Sequence, residues 1–531
     1  LYTPLFSGVF WEYQDTVLED IERIEVIRGP GATLWGANAM NGIVNIITKS
    51  ARDTQGALFS GGAGTEERGF ASVRYGGTLT SNLFFRVYGK YFNRDTFATP
   101  SGGDAHDAWW MGRGGFRLDW EPSSPNKFTV EGEAYGGILD QIYFVPMPPT
   151  TVAVTNSNVS RGGHILGTWT HTFSERSDLR LQLYYDRTHL TTPIFTEGRD
   201  TYDVDVQHRF QAGTRNDVVW GLGYRLYADN VDTNLAIKLF PPKRRTQIFS
   251  TFVQDAITLV PEKLILTLGS KFEHNDYTGF EIQPNVRLTY MPTERQTLWG
   301  AISRAVRTPS RVESDISFQQ PIGPGQFATI VGNPNFKSEK LIAYELGHRI
   351  QYKNLYFDTA AFYNRYDDLR TIEPSASGLV AGNGLKGESY GIELGPTYKV
   401  ADWWRLQAAY TWLQLQLSRK PGSLDPFMFE KDIEGRSPHH QFTLRSSFDL
   451  PQHLQLDGIL RYVDSLPGIG VARYYVLDLR LGWNPYKDLE FSIVGQNLLS
   501  RRHAEFTPSA LVQTQPTQVE SGVYGKVTWH F

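Results

Sequence analysis

Residues 179–186, Leu179-Arg-Leu-Gln-Leu-Tyr-Tyr-Asp186, carry apolar side chains at alternate positions. Because successive side chains of a β-strand point to opposite faces, this segment predicts a strand with one apolar and one mostly polar face. The alternation recurs at Leu264–Gly269, Leu454–Tyr462 and Leu489–Gln496, and it continues from about Gln55 to the last residue. A pattern of this extent indicates a large all-β structure whose two faces meet different environments.

The connections between the predicted strands alternate between short and long. The short ones are 121–126, 174–177, 260–262, 292–295, 352–354, 451–452 and 485–488. The long ones are 138–160, 229–245, 308–340, 368–386, 419–435 and 500–518. Outer-membrane barrels place short turns on the periplasmic side and long loops outside, and the strands between these connections number about twenty-two, an even number as in single-chain barrels. The sequence therefore predicts an all-β transmembrane barrel of about twenty-two antiparallel strands.

The composition excludes several other classes of protein. The 531 residues contain no uninterrupted apolar run of about 18 residues, so no membrane helix is predicted. The 52 Lys and Arg residues are balanced by 56 Asp and Glu residues, which gives a net charge of -4 and no basic field for nucleic acid. The absence of cysteine excludes disulfides, thiolate metal sites and cysteine nucleophiles.

A soluble all-β protein such as a propeller would show the same alternation, because its strands also have an inner and an outer face. However, no repeat of about 40 residues is visible, as a propeller would require. The final strand carries Val523, Val527, Trp529 and Phe531 on one face. Aromatic residues at the end of a strand fit the interfacial girdle of a membrane barrel, so the barrel is the favoured interpretation.

The N-terminal 54 residues do not follow this alternation. Val17–Ile27 mixes acidic and aliphatic residues, Arg28-Gly-Pro-Gly31 predicts a turn, and Ile43–Thr48 predicts a β-branched strand. We expect a small α+β unit. Gly31–Gly36 lacks the following Lys and Ser/Thr of a phosphate-binding loop, so its glycines are interpreted as structural.

Residues 18–48, LEDIERIEVIRGPGATLWGANAMNGIVNIIT, resemble the second half of the plug domain of TonB-dependent outer-membrane receptors. Further matches to that family lie at Ser303–Pro309, Gly332–Lys340, Tyr344–Gly347, Tyr390–Leu394 and Gly495–Leu499. The resemblance implies a barrel that encloses a globular plug and imports scarce nutrients with energy relayed by TonB. It implies that TonB, a ligand such as a ferric siderophore, and outer-membrane lipid are the partners, and that the barrel is monomeric and has no cofactor.

Two domains follow from the resemblance. Residues 1–54 are interpreted as the C-terminal half of the plug, and residues 55–531 as the transmembrane β-barrel. The family's TonB box and first plug strands would precede Leu1, so we expect the sequence to be a partial chain. The contact with TonB is consequently assigned to no residue.

The resemblance also implies a contact that holds the plug. An arginine at this turn of the family pairs with glutamates on the inner barrel wall, and the matching residues are Arg28, Glu345 and Glu393. The local alternation agrees, because each glutamate falls on the face opposite its aliphatic neighbours. An arginine can satisfy a carboxylate that would otherwise be costly in the lumen. The alternative is that each glutamate merely lines a hydrated channel.

Aromatic residues are the candidates for ligand contact. They are Tyr2, Phe6, Phe10 and Trp11 in the plug and Tyr143 and Phe144 in a long loop. In similar receptors the first plug segment rises toward the extracellular ligand site, and aromatic faces offer large, rigid surfaces for a bulky ligand. The alternative is that these side chains pack within the plug or hold the loop against its neighbours.

Metal binding and catalysis receive no support. Adjacent His439 and His440 would point to opposite faces of a strand, and Asp203 with Asp205 would not complete a cation site. No spacing argues for a catalytic triad or paired carboxylates, so we predict neither a metal nor an enzyme.

Active import of a scarce, large ligand is the leading hypothesis for function, and a ferric siderophore is favoured because such substrates dominate the family. Cobalamin, haem and oligosaccharides remain alternatives within the same fold. A passive porin and a surface-binding barrel are alternatives of another class. A porin predicts an open lumen, whereas Leu18–Thr48 predicts a domain that occludes it.

Overall fold

The structure, a computed structural model, describes residues 3–233, 237–376, 378–427, 429–508 and 512–531. Within these residues, twenty-two long strands close into an antiparallel barrel, which confirms the predicted fold class. Residues 3–54 lie inside it and pack against its inner wall. None of the described helices is long and apolar enough to cross a membrane.

The elements inside the barrel are few and short. They are β1 (Ile21–Arg28), α1 (Ala32–Trp35), β2 (Gly42–Thr48) and the 3-10 turns Trp11–Tyr13, Leu18–Asp20 and Arg52–Thr54. The strands β1 and β2 form an antiparallel pair, in which Val26 lies opposite Val44. We refer to residues 3–54 as the plug segment.

The remaining elements form the barrel and its loops. The strands are β3 (Gly56–Gly64), β4 (Glu67–Thr80), β5 (Leu83–Arg94), β6 (Trp109–Ser123), β7 (Asn126–Met147), β8 (Thr150–Ser174), β9 (Ser177–Thr191), β10 (Phe195–Ala212), β11 (Asn216–Thr233), β12 (Ile237–Leu239), β13 (Lys243–Val260), β14 (Leu264–Asn275), β15 (Gly279–Thr293), β16 (Gln296–Arg307), β17 (Ile316–Gly323), β18 (Gln326–Val331), β19 (Glu339–Tyr352), β20 (Leu355–Ser375), β21 (Gly378–Ala401), β22 (Trp404–Arg419), β23 (His440–Leu450), β24 (Leu454–Val463), β25 (Tyr474–Tyr486), β26 (Leu489–Gln496), β27 (Arg502–His503), β28 (Val519–Glu520) and β29 (Gly522–His530). The helices are α2 (Arg311–Asp315) and α3 (Phe429–Glu434), with 3-10 turns at Pro451–His453 and Pro467–Ile469.

The barrel closes where its last strand pairs with its first. Strand β29 is antiparallel to β3, and Trp529 lies opposite Phe59. Leu222, Ile302 and Leu346 are 51%, 53% and 63% exposed on the outer face, where lipid would cover them. Closure pairs the backbone groups along the wall, so the barrel has no open edge that lipid would have to solvate.

Several loops form an additional tier above the barrel. Strand β12 pairs with β17, β17 pairs with β18, and β18 runs parallel to β21. An apolar cluster holds this tier together, and its buried members are Tyr143, Val145, Ile194, Ile237 and Ile316. We refer to this cluster and its strands β12, β17 and β18 as the loop roof. The alternation of side chains along the chain does not predict the loop roof.

The plug segment also contacts the barrel through backbone and apolar groups. The backbone N–H of Asn38 donates a hydrogen bond to the Val306 carbonyl over 2.8 Å. Met40 packs against Ala305, Leu341 and Ala343, of which the two alanines have no exposed surface. The wall is therefore fitted to the plug segment at this point, because small side chains make room for the methionine.

Candidate functional site

A cavity of about 1560 Å³ lies between the plug segment, the inner wall and the loop roof. Phe6 and Phe10 of the plug segment line it, together with Tyr143 of β7 and Phe318 of β17. At its other end the cavity reaches the turn at Arg28. It is a site at which a bulky molecule could touch plug, wall and loops at once.

Three of the predicted aromatic residues line this cavity. The rings of Phe6 and Phe10 meet edge to face with their centroids 4.9 Å apart. The hydroxyl of buried Tyr143 accepts a hydrogen bond from the Asn158 amide over 2.6 Å, which fixes the ring at the cavity wall. Contact of these residues with a ligand stays a prediction.

Two other aromatic candidates, Trp11 and Phe144, do not line the cavity. Trp11 is 65% exposed and is not among the lining residues. Phe144 follows Tyr143 on β7, so its side chain lies on the opposite face of the strand. Its backbone N–H donates to the Gln513 carbonyl over 2.8 Å. Tyr2 lies outside the described residues.

The predicted plug contact involves one of the two glutamates directly. An Arg28 Nη1 donates to Glu393 Oε2 on β21, in an ion pair that leaves the arginine side chain 54% exposed. Glu345 on β19 instead approaches Gly29 so closely that a Cβ at that position would overlap its carboxylate. Gly29 also has a φ of +73°, which favours glycine. The geometry brings Arg28, Glu345 and Glu393 together, and their role as a lock stays a prediction.

A more deeply buried contact joins the plug segment to another part of the wall. Asp20 accepts a hydrogen bond from Arg74 Nη1 on β4 over 2.5 Å, and its other oxygen lies 3.6 Å from Arg86 Nε on β5. Arg86 also donates to the Lys49 carbonyl over 2.8 Å. Neither the alternation of side chains nor the family resemblance predicts this cluster. One feature of the sequence does indicate its arginines: alternation places Arg74 and Arg86 on the inner face of two neighbouring strands.

Further ion pairs hold the same side of the plug segment. Glu19 accepts hydrogen bonds from Lys526 Nζ and Ser60 Oγ, each over 2.8 Å. Burial raises the pKa of Glu19, but the hydrogen bond and charge of Lys526 outweigh it, so the pKa is lowered overall. Asp15 likewise accepts from Lys90 over 2.6 Å. The plug segment is thus bound most firmly to the wall near the closure of the barrel.

Helix α2 connects the loops to the plug segment. The backbone N–H groups of Arg311 and Val312 donate to the carbonyls of Pro4 and Leu5, each over 3.0 Å. Ser310 and Glu313 form a capping box at the start of this short helix. The extracellular loop that contains α2 is therefore hydrogen-bonded directly to the tip of the plug segment.

The carboxylate of Glu313 is buried between two arginines of the cavity wall. Arg307 Nη1 lies 3.0 Å and Arg370 Nη1 lies 3.3 Å from Glu313 Oε1. Burial raises the pKa of Glu313, but the charges of the two arginines outweigh this effect and lower the pKa overall. The carboxylate is consequently held in its charged form.

A second buried ion network fixes the other face of α2. Arg311 has no exposed surface and pairs with Asp229 and, over 2.5 Å, with Asp315. Asp315 also accepts from Arg244 over 2.7 Å. Each charge in this network has an opposite charge beside it, as burial requires.

The residues considered for metal binding have other contacts. Asp203 accepts a hydrogen bond from Arg225 Nε over 2.7 Å. A ring nitrogen of His439 lies 3.0 Å from the Leu413 carbonyl, and one of His440 lies 2.9 Å from the Tyr410 hydroxyl. Within the described ranges, no group of three or more His, Cys, Asp or Glu side chains is arranged to hold a metal ion.

The chain is similar in sequence to known outer-membrane receptors. The family described as TonB dependent receptor-like, beta-barrel matches residues 45–498. The chain is similar to a ferric enterobactin receptor from Pseudomonas aeruginosa, with 27% identity over 464 residues that cover 70% of this chain and 58% of that protein. It is also similar to an iron-regulated outer membrane virulence protein from Vibrio cholerae, with 25% identity over 405 residues that cover 72% and 58%.

The fold has counterparts among solved structures. The siderophore receptor PirA from Acinetobacter baumannii matches with a TM-score of 0.78 at 16% identity, over 97% of this chain and 85% of that one. At that identity the likeness shows the fold alone. The chain spans about 58% of the length of the two sequence relatives, so the activity of the whole protein is a matter for proposal.

Proposed function

The chain belongs to the TonB-dependent receptor family, and we propose on that premise that it imports a ferric siderophore with energy relayed by TonB. Its barrel lies in the bacterial outer membrane. Its family and fold are those of receptors and transporters, and we assign no enzymatic step to it.

The observation that carries this proposal is the attachment of the plug segment inside the barrel. Asp20 forms a buried ion pair with Arg74, and Arg28 forms a partly exposed one with Glu393. A passive porin would keep its lumen open, whereas a domain held across the lumen has to be displaced before a large ligand can pass. Displacement against buried ion pairs requires work, which fits a transporter coupled to an energy source.

The choice of ligand rests on the relatives and on the cavity. One relative is named as a ferric enterobactin receptor and another as an iron-regulated outer-membrane protein. The cavity offers Phe6, Phe10 and Tyr143 on its wall, which suits a bulky ligand that is partly apolar. Cobalamin, haem and an oligosaccharide are the competing ligands of the same fold.

The proposal is tested with the full-length protein in cells that make no siderophore and lack other receptors of this class. We expect uptake of radiolabelled iron from an added chelate, and we expect uptake to stop when TonB is deleted or the proton gradient is collapsed. Uptake that persists in both conditions would support a porin. Uptake of cobalamin, haem or an oligosaccharide without uptake of any iron chelate would replace the proposed ligand.

A matched pair of variants separates transport from assembly. Asp20→Asn retains the size of the side chain but removes the charge that faces Arg74. Glu22→Gln makes the same chemical change at an exposed position of β1, where Arg23 is the partner over 2.8 Å. If the plug segment takes part in transport, only the first variant should change uptake while both insert equally into the membrane.

A further inference from the structure

We propose that the ligand is an apolar ferric chelate of low net charge, and not a trianionic catecholate complex. This inference rests on the proposed import function and narrows its substrate class. It concerns the outer chamber, which we define as the part of the cavity lined by plug residues 5–13, by loop residues and by the loop-side ends of β16 and β18–β22. The charge balance and the apolar wall of this chamber are the two observations that carry it.

Among the residues that the structure describes, the outer chamber has no excess of positive charge. Its cationic residues are Arg307, Arg370 and Arg436. Its carboxylates are Glu12, Glu313, Glu339 and Asp432. Recognition of a trianionic complex would favour unpaired arginines or lysines, because charge-assisted hydrogen bonds to them are strong and specific. Burial raises the pKa of Glu12, but even without its charge the other three carboxylates balance the three arginines, so no net positive charge attracts such a complex.

These arginines are already engaged with carboxylates of the protein. Arg307 lies 2.7 Å from Glu339 and 3.0 Å from Glu313, which it shares with Arg370. Arg436 pairs with Asp432 in the loop that contains α3. An anionic ligand would have to compete with these partners, and any carboxylate that it displaced would lose its counter-charge. Binding an anion here is therefore less favourable than binding it to arginines that have no counter-charge.

The inner wall of the outer chamber is apolar where a barrel lumen is usually polar. Leu413, Leu415 and Leu417 follow one another along the lumen face of β22, and all three line the cavity while remaining partly exposed. The opposite face of the same strand carries Gln414 and Gln416. The polarity of this wall is thus reversed, with leucines inside and glutamines outside.

Neighbouring strands extend this apolar surface. Ile372 of β20 lines the same chamber and is partly exposed, whereas Leu385 of β21 and Ile330 of β18 border the chamber but are already buried. A ligand with apolar surface would cover the partly exposed side chains of β22 and Ile372 and remove them from water, which is favourable. A chelate whose outer surface is largely hydrocarbon and whose charge is near zero is complementary to a wall of this kind.

The inference is tested by equilibrium binding to the purified full-length protein, followed by quenching of its intrinsic fluorescence. The probes are a neutral iron(III) trihydroxamate complex and a trianionic iron(III) tris-catecholate complex. We expect the neutral complex to bind at least about tenfold more tightly, with an affinity that added salt leaves unchanged.

Three variants identify the surface that carries the affinity. Leu415→Asn should weaken binding of the neutral complex about tenfold, because it places an amide in the apolar wall. Arg436→Gln should change the affinity for the neutral complex by less than about twofold, because a neutral ligand forms no ion pair with the arginine. Gln416→Ala, on the outer face of the same strand, is the matched control and should bind as the unmodified protein does.

Each other outcome is informative. Tighter binding of the catecholate complex, or equal binding of the two, overturns the inference about charge and leaves siderophore import intact. Loss of catecholate binding in Arg436→Gln or at high salt would identify an anion site, and this result would also overturn the inference about the charge of the ligand. If neither complex binds but cyanocobalamin, haem or an oligosaccharide does, the proposed function itself fails.

Discussion

Asp20 of the plug segment and Arg74 of the barrel wall form a 2.5 Å ion pair in which the two side chains are only 3% and 5% exposed. Arg28 and Glu393 form a second pair on another part of the wall, but there the arginine is 54% exposed. Water screens the second pair and not the first, so the two contacts differ in what their removal costs. The plug segment is therefore held firmly at one side and more weakly at the other.

Asp20→Ala should weaken the attachment of the plug segment more than any other single change in it. The substitution leaves Arg74 and Arg86 buried without their common counter-charge, which costs about 3 to 5 kcal/mol. We expect increased ion conductance in planar lipid bilayers. The barrel should still be folded, which is checked by the change in its electrophoretic mobility when the sample is heated. Glu22→Ala removes an exposed carboxylate from the same segment and should leave conductance unchanged. Equal conductance of the two variants would contradict the prediction.

Arg28→Ala should raise conductance less than Asp20→Ala does. The Arg28 pair with Glu393 is partly exposed, so its loss should cost about 1 kcal/mol or less. The double variant with Glu393→Ala measures the coupling directly, because the effects of the single changes will not add if the two side chains interact. Additive effects would show that the contact does not hold the plug segment, and the predicted lock would then be wrong.

The alternation of apolar and polar side chains predicted the barrel because successive side chains of a strand point to opposite faces. A side chain at every second position faces lipid, so Leu346 and Glu345 had to lie on opposite faces. The same rule separates Tyr143, which lines the cavity, from Phe144, which does not. Because Tyr143 and Phe144 are adjacent on β7, their side chains lie on opposite faces of the strand, and contact of either residue with a ligand stays a prediction.

The contacts of the plug segment were predictable only in part. Arg28 and the two glutamates followed from family resemblance, whereas the contact of Asp20 with Arg74 did not follow from alternation. Alternation assigns a face to Arg74 but not the depth at which a distant segment meets it. The loop roof was also missed, because β12, β17 and β18 are short strands within long loops and pair with partners distant in sequence.

Ala343→Phe should displace the plug segment by overpacking. Ala343 has no exposed surface and packs against Met40 of the plug segment, so a larger side chain has no space there and should cost about 1 to 3 kcal/mol. We expect faster cleavage of the plug segment by an added protease. Ala361→Phe is the control, because Ala361 lies on the neighbouring strand β20 and is exposed on the outer face of the barrel, opposite Leu346. Equal cleavage rates in the two variants would count against a fitted contact at Met40.

Acidification should loosen the loop roof through Glu313. Arg307 and Arg370 hold the pKa of this buried carboxyl below its usual value, although burial alone would raise it. A group whose pKa is lowered in the folded state stabilises that state above the pKa of the unfolded chain, and this stabilisation is lost as the pH falls through the lowered value. The loop should therefore stay closed at about pH 6 and become mobile below about pH 4.

Spin labelling can follow this opening, because the sequence contains no cysteine and a single Ile322→Cys change on β17 gives one labelling site. Ile322 is 52% exposed, so the label should not disturb the roof itself. Asp315, paired with Arg311 and Arg244, is a second carboxyl in the same loop, so the comparison variant is Glu313→Gln. That variant should be mobile at both pH values, because its amide carries no charge for the two arginines. If it keeps the full pH response of the unmodified loop, the response belongs to another carboxyl, and the buried charge of Glu313 is not what holds the roof over the cavity.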